Sequence, residues 1–249
     1  MTNSILPTQP YNPLEGKPAE LTIPLHDGTE EQVSIVVVHN DKPEHLNICL
    51  QSIAVTSFNN NYELIVVDNN SGKESQDFLS AIEEDGVKVI RNDKNLFWSA
   101  AANKGAAAVS KNSKYIMFMH HDVVVLNPAW IDLMINVSES QQAGMVGLEL
   151  GQYFMQNQKV DFVQEWCVLF SKKAWADVGP FPETLPQIGH SFIMTMKAQI
   201  KGYKPQVMRN PVCHHYHVFS LDINEFERFT ERAMQEIPRV MRELQTMPV

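Results

Sequence analysis

Two histidines and an aspartate, His120, His121 and Asp122, end the apolar run "YIMFM" within the stretch "KYIMFMHHDVVVLNP". Imidazole nitrogens and carboxylate oxygens are both ligands for divalent cations. A second histidine group, "HHYH", follows at 214–217. A metallohydrolase built on these two groups is one interpretation, although neither spacing matches a helical pair of metal ligands.

Polar residues also follow three other predicted strands, at 39–40, 68–71 and 92–93. Any one of these groups is ordinary turn chemistry, because Asn and Asp favour strand exits. In a parallel α/β sheet, however, ligands bind beyond the carboxyl ends of the strands. Together with residues 120–122, four polar strand ends on one rim predict a binding site.

The elements that would position these residues alternate along the chain. Buried strands are predicted in "QVSIVVVHN", "YELIVVDNN", "VKVIRND" and "KYIMFMH", where apolar and β-branched residues run together. Helices are predicted between them, in "PEHLNICLQSIAV", "KESQDFLSAIEED" and "SAAANKGAAAVSK". This alternation predicts right-handed βαβ units. The fold class is therefore α/β, with a mainly parallel central sheet flanked by helices.

The pattern is less regular after Asp122. Helices are predicted in "PAWIDLMINVSES" and "HSFIMTMKAQIKGY", and strands in "GMVGLEL" and "PVCHHYHVF". Between them, "VDFVQEWCVLFSKKAW" predicts one or two strands that lead into a short helix.

Three segments are predicted along the chain: an N-terminal extension over 1–32, the α/β domain over 33–220 and a C-terminal helical tail over 221–249. In the tail, Asp222 is the expected N-cap, and Pro238 is expected to kink the helix or split it in two. The mixed charge of "ERFTERAMQE" indicates a solvated helix face, with a homodimer interface as the alternative.

The composition excludes some classes of partner. The formal net charge of the 249 residues is −9 and no block of Lys or Arg occurs, which argues against nucleic acid and anionic membrane surfaces. Three widely spaced cysteines form neither a disulfide framework nor a zinc pattern, so a reducing compartment is expected. No signal peptide and no apolar run long enough to span a membrane are recognisable. The chain is expected to be soluble and cytoplasmic.

The ordered series "VSIVVVHNDKPEHLNICLQSI", "YELIVVDNNSGKES", "VIRNDKNLFWSAAANKG" and "YIMFMHHDVVVLNPAWI" resembles family 2 of the glycosyltransferases, which have the GT-A fold. Two later pieces, "VDFVQEWCVLFSKKAWADVGPFPE" and "IKGYKPQVMRNPVCHHYH", fit in the same order. The likeness is greatest to the rhamnosyltransferase-like branch, in which "NLGFAGANNKG" is the usual form of "NLFWSAAANKG". It implies transfer of a sugar from a nucleotide-diphosphate sugar to an acceptor, with a divalent cation and inversion at the anomeric carbon.

The resemblance also implies a role for individual residues on the nucleotide side. The end of the first strand and the aspartate after the second would hold the base and ribose, and the alanine-rich helix and the residue before it would line the same side. The residues are Val38, His39, Asn40, Asp68, Asn95, Asn103 and Lys104.

For the metal, the resemblance makes Asp122 the last carboxylate of the family's Asp-x-Asp motif, while His120 stands in place of the first. Imidazole suits Mn²⁺ or Zn²⁺ better than Mg²⁺, so Mn²⁺ is expected in preference to Mg²⁺. A terminal histidine is a further ligand in some members. Strand alternation would place His215 and His217 on one face, and His217 is the expected ligand.

The general base is the second departure from the family pattern. The usual "GEDxDL" motif carries the aspartate that deprotonates the acceptor hydroxyl, but residues 189–194 read "GHSFIM" and contain no carboxylate. His190, Glu165 and Glu183 are the candidate bases, and absence of a base is the alternative. A member without a base would bind a nucleotide sugar or a partner without catalysis. A sugar nucleotidyltransferase is set aside, because "VVVHNDKPEH" lacks a Gly-rich basic phosphate loop.

Overall fold

A computed structural model describes residues 32–57, 60–155, 158–217 and 222–246 of the chain. The extension predicted over 1–32 therefore lies outside the described residues except for Gln32. The strands are β1 Val33–His39, β2 Tyr62–Asp68, β3 Lys88–Arg91, β4 Tyr115–His120, β5 Val123–Val125, β6 Met145–Gly147, β7 Leu150–Met155, β8 Gln158–Val163, β9 Cys167–Ser171, β10 Gln206–Val207 and β11 Cys213–His215. The helices are α1 Pro43–Thr56, α2 Lys73–Glu84, α3 Phe97–Ala107, α4 Trp130–Ser140, α5 Lys172–Val178, α6 His190–Ile200 and α7 Ile223–Thr246.

A seven-stranded sheet forms the centre, in the order β10-β6-β9-β4-β1-β2-β3. The pairs β1–β2, β1–β4, β2–β3 and β6–β10 are parallel, whereas β9 runs antiparallel to β4 and β6. Every residue of β1 is buried, as expected for a strand covered on both faces. The predicted α/β architecture with a mainly parallel sheet is thus confirmed, and the fold is GT-A-like.

Alternate residues of β1 pack against helices on opposite faces of the sheet. Val33, Ile35 and Val37 contact the cluster that contains the apolar residues of α1, α2 and α4. Val36 and Val38 contact the cluster of α3, α5 and α6. This alternation follows from the two-residue period of a strand.

The register brings the predicted polar strand ends to one edge. His39 is paired with Asp68, Asp68 with Arg91, and Val38 with His120. The ends of β3, β2, β1 and β4 are therefore neighbours in that order. The site predicted from these four ends lies along one rim of the sheet.

The C-terminal helix α7 packs on α6 through a third apolar cluster, which includes Ile193, Ala233 and Ile237. Asp222 caps it as predicted: Glu225 N donates to Asp222 Oδ1 at 2.8 Å, and Asp222 N donates back to Glu225 Oε2 at 3.4 Å. Pro238 lies inside one continuous helix, so the predicted split is wrong.

Strand β11 is shorter than the sequence predicts. It contains Cys213–His215 and pairs antiparallel with β5, so that His215 faces Val123. His217 lies beyond the strand, with φ of 55° in the left-handed region. Strand alternation therefore does not carry His215 and His217 onto one face.

No helix in the described parts of the chain is long and apolar enough to cross a membrane.

Candidate active site

Three side chains converge where β4 and β11 end. The Nε2 atom of His215 lies 3.2 Å from Oδ1 of Asp122, and Nδ1 of His120 lies 4.0 Å from the same oxygen. One ligand atom from each residue falls within 4.8 Å of the others. Two imidazoles and a carboxylate at such short separations form a set of ligands suited to a divalent transition metal.

Backbone hydrogen bonds fix this arrangement. Tyr216 N donates to Asp122 O at 3.0 Å and so ties the end of β11 to the turn after β4. On the other side, His120 N donates to the carbonyl of Trp166 at 3.0 Å. His120 and His215 are thus the last residues of β4 and β11, and Asp122 lies in the two-residue turn between β4 and β5.

Two tryptophan rings pack against the two histidines. The Trp98 ring centroid lies 4.4 Å from that of His120, and Trp166 stacks on His215 at 5.1 Å with an interplanar angle of 18°. Trp166 is itself anchored, because its Nε1 donates to Glu149 Oε2 at 2.6 Å. Such packing restricts both imidazoles to one orientation.

The electrostatics of the cluster suit a cation. Burial lowers the pKa of His120 to about 4, an effect that Glu165 and Asp122 oppose and His215 reinforces. His120 is therefore neutral at pH 7, which is the form that binds metals. Its Nε2 atom and Nδ1 of His215 are buried without a hydrogen-bond partner among the described residues. A neutral imidazole beside the hard carboxylate of Asp122 fits a divalent ion.

A polar pocket opens at the cluster, and His120 and Asp122 form part of its lining. Its amides form a network: Asn40 Nδ2 donates to Asn69 O at 3.0 Å, and Asn95 Nδ2 donates to Asn40 Oδ1 at 3.4 Å. Gln187 Oε1 accepts from Trp98 N at 3.1 Å and closes the opposite wall. The lining residues are Val38, Asn40, Asn69, Asn95, Phe97, Trp98, His120, His121, Asp122 and Gln187.

The residues predicted for the nucleotide side are only partly brought together. Val38, Asn40 and Asn95 line the pocket. His39 is fully buried with its Nε2 3.2 Å from Ser75 Oγ, and burial followed by the neighbouring His121 lowers the pKa of His39 to about 3. His39 is not among the lining residues, so its role stays a prediction.

Asp68 is also fully buried. Its carboxylate accepts hydrogen bonds from the backbone and hydroxyl of Ser71 and, at 2.6 Å, from Gln76 Nε2. These partners belong to the loop and helix that follow β2, which is the Asx-turn arrangement typical of a strand exit. A contact between Asp68 and a ribose stays a prediction.

Asn103 and Lys104 of α3 point to other partners. Asn103 Oδ1 accepts from Phe181 N at 2.9 Å, and its Nδ2 donates to Phe181 O at 2.9 Å and to Glu183 Oε1 at 3.3 Å. Lys104 Nζ donates to Asn92 Oδ1 at 2.7 Å. Asn103 therefore binds the loop after α5, and neither residue is among those that line the pocket.

The three candidate bases occupy different places. His190 is fully buried at the start of α6, and its Nε2 lies 3.4 Å from Glu165 Oε1. Burial alone raises the pKa of Glu165, but His190, His120 and a hydrogen bond from Ser191 outweigh it and lower the pKa to about 2. Glu183 is exposed and held by Asn103. Glu165 and His190 therefore form a pair, and Glu183 stands apart.

The sequence did not single out several residues of the site. His215 belongs to the candidate metal cluster, whereas the expected ligand His217 is exposed with its ring 4.2 Å from that of His215, so its role as a ligand stays a prediction. Gln187 and Asn69 line the pocket although the sequence analysis gave neither residue a role of its own. Asn69 stands in the polar strand end "DNNS", which is the one signal that could have indicated it.

The chain matches the family model described as Glycosyl transferase family 2 over residues 34–199. Because this match covers well over half of the chain, the protein belongs to that family. Two curated relatives match shorter stretches. "Uncharacterized protein y4gI" of Sinorhizobium fredii is 30% identical over 121 residues, 47% of this chain and 13% of that protein. "O-antigen biosynthesis protein RfbC" of Myxococcus xanthus is 25% identical over 123 residues, 48% of this chain and 9% of that protein.

Solved structures share the fold. A mannosyltransferase from Pyrobaculum calidifontis in complex with GDP-Man and Mn²⁺ aligns over 86% of this chain and 65% of its own, with a TM-score of 0.63 and 12% identity. GalNAc-T7 with UDP, GalNAc and Mn²⁺ aligns over 84% of this chain and 48% of its own, with a TM-score of 0.60 and 12% identity. The rhamnosyltransferase-like branch is not distinguished by these matches and stays a prediction.

Proposed function

We propose that the protein transfers a glycosyl group from a nucleotide-diphosphate sugar to an acceptor hydroxyl, with a divalent cation held by His120, Asp122 and His215. The observation that carries the proposal is the position of this cluster. It adjoins a pocket lined with amides, at the carboxyl ends of the strands, in a chain of glycosyl transferase family 2. Ligands of α/β folds bind at this edge of the sheet.

The residues of the cluster have separate tasks in this proposal. When bound there, a divalent cation neutralises charge that develops on the leaving diphosphate. Asp122 supplies the hard oxygen and also offsets the positive charge of the ion. His120 and His215 supply the nitrogen ligands, and the two tryptophans beside them hold their rings in place. In a protein of net charge −9 without a basic cluster, such an ion is one way to bind a diphosphate.

The nucleotide would bind in the amide-lined pocket. The side chains of Asn40 and Asn95 offer both donors and acceptors, as the edges of a base or a ribose require. Val38 contributes an apolar floor, and the carbonyl of Asn69 already anchors Asn40. The roles of His39, Asp68, Asn103 and Lys104 are not needed for this binding mode.

The ligands favour a transition metal as the ion. Mg²⁺ prefers oxygen ligands, whereas imidazole suits Mn²⁺ and, more strongly, Zn²⁺. We take Mn²⁺ as the working ion, since two proteins of the same fold contain it together with nucleotide or sugar ligands. Inversion at the anomeric carbon and a cytoplasmic location complete the proposal; the latter is supported by three free cysteines.

A second candidate function is binding of a nucleotide sugar without transfer. It is favoured by the lack of a carboxylate in residues 189–194, where family members usually carry the base. It shares the donor site with the first candidate, so binding alone does not separate the two. Turnover does.

The test is release of nucleoside diphosphate from a panel of UDP-, GDP- and dTDP-sugars, each with Mn²⁺, Mg²⁺ or EDTA. The proposal expects one nucleotide to be released in a Mn²⁺-dependent reaction, with water as the acceptor when no other is added. Mn²⁺-dependent binding of a nucleotide without any release would favour the second candidate. Neither binding nor release with any donor would contradict both.

A further inference from the structure

Glu165 lies where the loop between β8 and β9 meets the start of α6. Its Oε1 atom is 3.4 Å from Nε2 of His190, the first residue of that helix. The residue after it, Trp166, stacks on His215 and accepts the backbone hydrogen bond of His120. Glu165 is thus adjacent in the chain to the wall of the metal cluster.

The side chains of Glu165 and His190 differ in their exposure to solvent. The His190 side chain is 1% exposed and is covered by Trp98, whose ring lies 6.3 Å away, and by Phe181 at 5.6 Å. The Glu165 side chain is 17% exposed. Glu165 is therefore the more exposed member of the pair and the one nearer to an acceptor that enters from solvent.

The environment of Glu165 keeps its carboxylate ionised. His190 lies beside it, Ser191 donates a hydrogen bond to it, and the N-terminus of α6 adds a favourable dipole. The family motif places a carboxylate on this helix start, where the chain has His190. The structure thus retains a negative charge at the start of α6, although the residue that carries it comes from the facing loop.

We propose that Glu165 is the base that accepts the proton of the acceptor hydroxyl, and that His190 is a positioning residue that holds Glu165. This inference rests on the proposed function. In the step, the acceptor oxygen forms a bond to the anomeric carbon while the bond from that carbon to the diphosphate breaks. The diphosphate leaves with the bonding electron pair, and the hydroxyl proton passes to a carboxylate oxygen of Glu165.

A weakly basic carboxylate suffices for this step. The acceptor oxygen becomes strongly acidic once it begins to bond to the electron-deficient anomeric carbon. Proton transfer therefore accompanies bond formation and does not have to precede it. The step requires an ionised and partly exposed carboxylate at a fixed position, and Glu165 is both ionised and partly exposed.

The experiment compares Glu165→Gln with two matched variants, using the sugar nucleotide and Mn²⁺ that the wild type turns over. Glu165→Gln is expected to lower kcat for nucleotide release at least about a hundredfold. It should bind nucleotide diphosphate with Mn²⁺ as the wild type does. The control is Asp161→Asn, which changes an exposed residue of β8 four positions before Glu165. This variant is expected to keep the kcat of the wild type. Glu183→Gln tests the rival carboxylate.

His190 is tested by a conservative and a non-conservative variant. His190→Gln keeps an N–H that can point toward Glu165, and His190→Leu does not. Nucleotide release by His190→Gln is expected to exceed that by His190→Leu about tenfold, with the donor KM unchanged in both. A KM that rises as kcat falls in both variants would contradict a positioning role.

The outcomes distinguish this inference from the proposed function. If the wild type releases nucleotide and Glu165→Gln does so equally well, Glu165 is not the base and the proposed function stands. If Glu183→Gln loses turnover instead, the base is Glu183 and the inference is wrong. If the wild type releases nothing from any donor, the proposed transfer activity fails and the inference fails with it.

Discussion

His215 Nε2 lies 3.2 Å from Asp122 Oδ1, and this contact joins the last residue of β11 to the turn between β4 and β5. The contact depends on a pair of three-residue strands, β5 and β11, in which His215 faces Val123. Short strands tolerate little change at their ends. Asp122 and His215 are therefore held together by a strand pair that lies outside the central sheet, whereas His120 ends β4 of that sheet.

Substitution of His215 should remove metal binding, whereas substitution of His217 should not. His215→Ala deletes one of the three convergent ligands, and loss of one ligand from a three-residue site weakens binding strongly. His217→Ala changes an exposed ring beyond the strand and is the matched control. The measurement is the Kd for Mn²⁺ by electron paramagnetic resonance, with an expected increase of at least about tenfold for His215→Ala. The reverse order of effects would restore His217 as the ligand.

At Phe97, glycine should be better tolerated than alanine. Phe97 has φ of 59° and packs on Phe229 of α7 with ring centroids 4.8 Å apart. Both substitutions lose that contact, but only glycine relieves the left-handed backbone, which costs about 1–2 kcal/mol for other residues. Urea unfolding should therefore find Phe97→Gly more stable than Phe97→Ala by about 1 kcal/mol. Alanine at least as stable as glycine would show that the backbone is not strained.

Gly105 should not accept a side chain. A Cβ there would overlap Val36 Cγ1 and lie 3.0 Å from Val67 Cγ2, because α3 packs directly on β1 and β2. Gly105→Ala is expected to lower the free energy of unfolding by about 2–3 kcal/mol. Gly72→Ala is the control, since its Cβ would meet Asp41 Oδ1 at an ordinary 3.5 Å. Equal losses in the two variants, measured by urea unfolding, would contradict close packing of α3.

His39 should make stability depend on pH. Its folded-state pKa is lowered to about 3 from 6.5, so between these values the unfolded chain binds the proton and the folded protein does not. The folded state holds His39 in its neutral form, and this contributes to the free energy of unfolding above pH 6.5. The contribution decreases as the pH falls from 6.5 toward 3. From pH 7 to pH 5 the wild type should lose about 2 kcal/mol more than His39→Asn.

The measurement for His39 is the free energy of unfolding in urea at the two pH values. Each protein is compared only with itself, so any intrinsic destabilisation by the asparagine cancels. The remaining histidines are common to both proteins. An equal loss in wild type and variant would mean that His39 is protonated in the folded state.

Much of the fold could be predicted from the sequence because buried strands and amphipathic helices have local signatures. The all-apolar pattern of β1 predicted a strand covered on both faces, and the polar strand ends predicted the rim of the site. The order of the motifs also predicted the family, which the match over 34–199 confirms. Each of these signals lies within a few consecutive residues.

The details of the site were less predictable because they depend on where an element ends. The alternation that favoured His217 assumed a strand longer than β11, which ends at His215. Pro238 was expected to kink α7 or split it in two, and only the split is excluded, because the apolar face around Ala233, Ile237 and Met241 is buried against the domain and maintains one helix. The pairing of Glu165 with His190 joins two segments that are distant in the sequence, and no local sequence pattern predicts it.

The most direct measurement is calorimetric titration of wild type and Asp122→Asn with UDP, GDP and dTDP, with and without Mn²⁺. The account predicts that one nucleotide binds the wild type at least about tenfold more tightly with Mn²⁺, a difference of about 1.4 kcal/mol, and that Asp122→Asn loses this dependence. A nucleotide that binds equally well without Mn²⁺, or an Asp122→Asn variant that keeps the full effect of Mn²⁺, would contradict the proposed metal-assisted donor site.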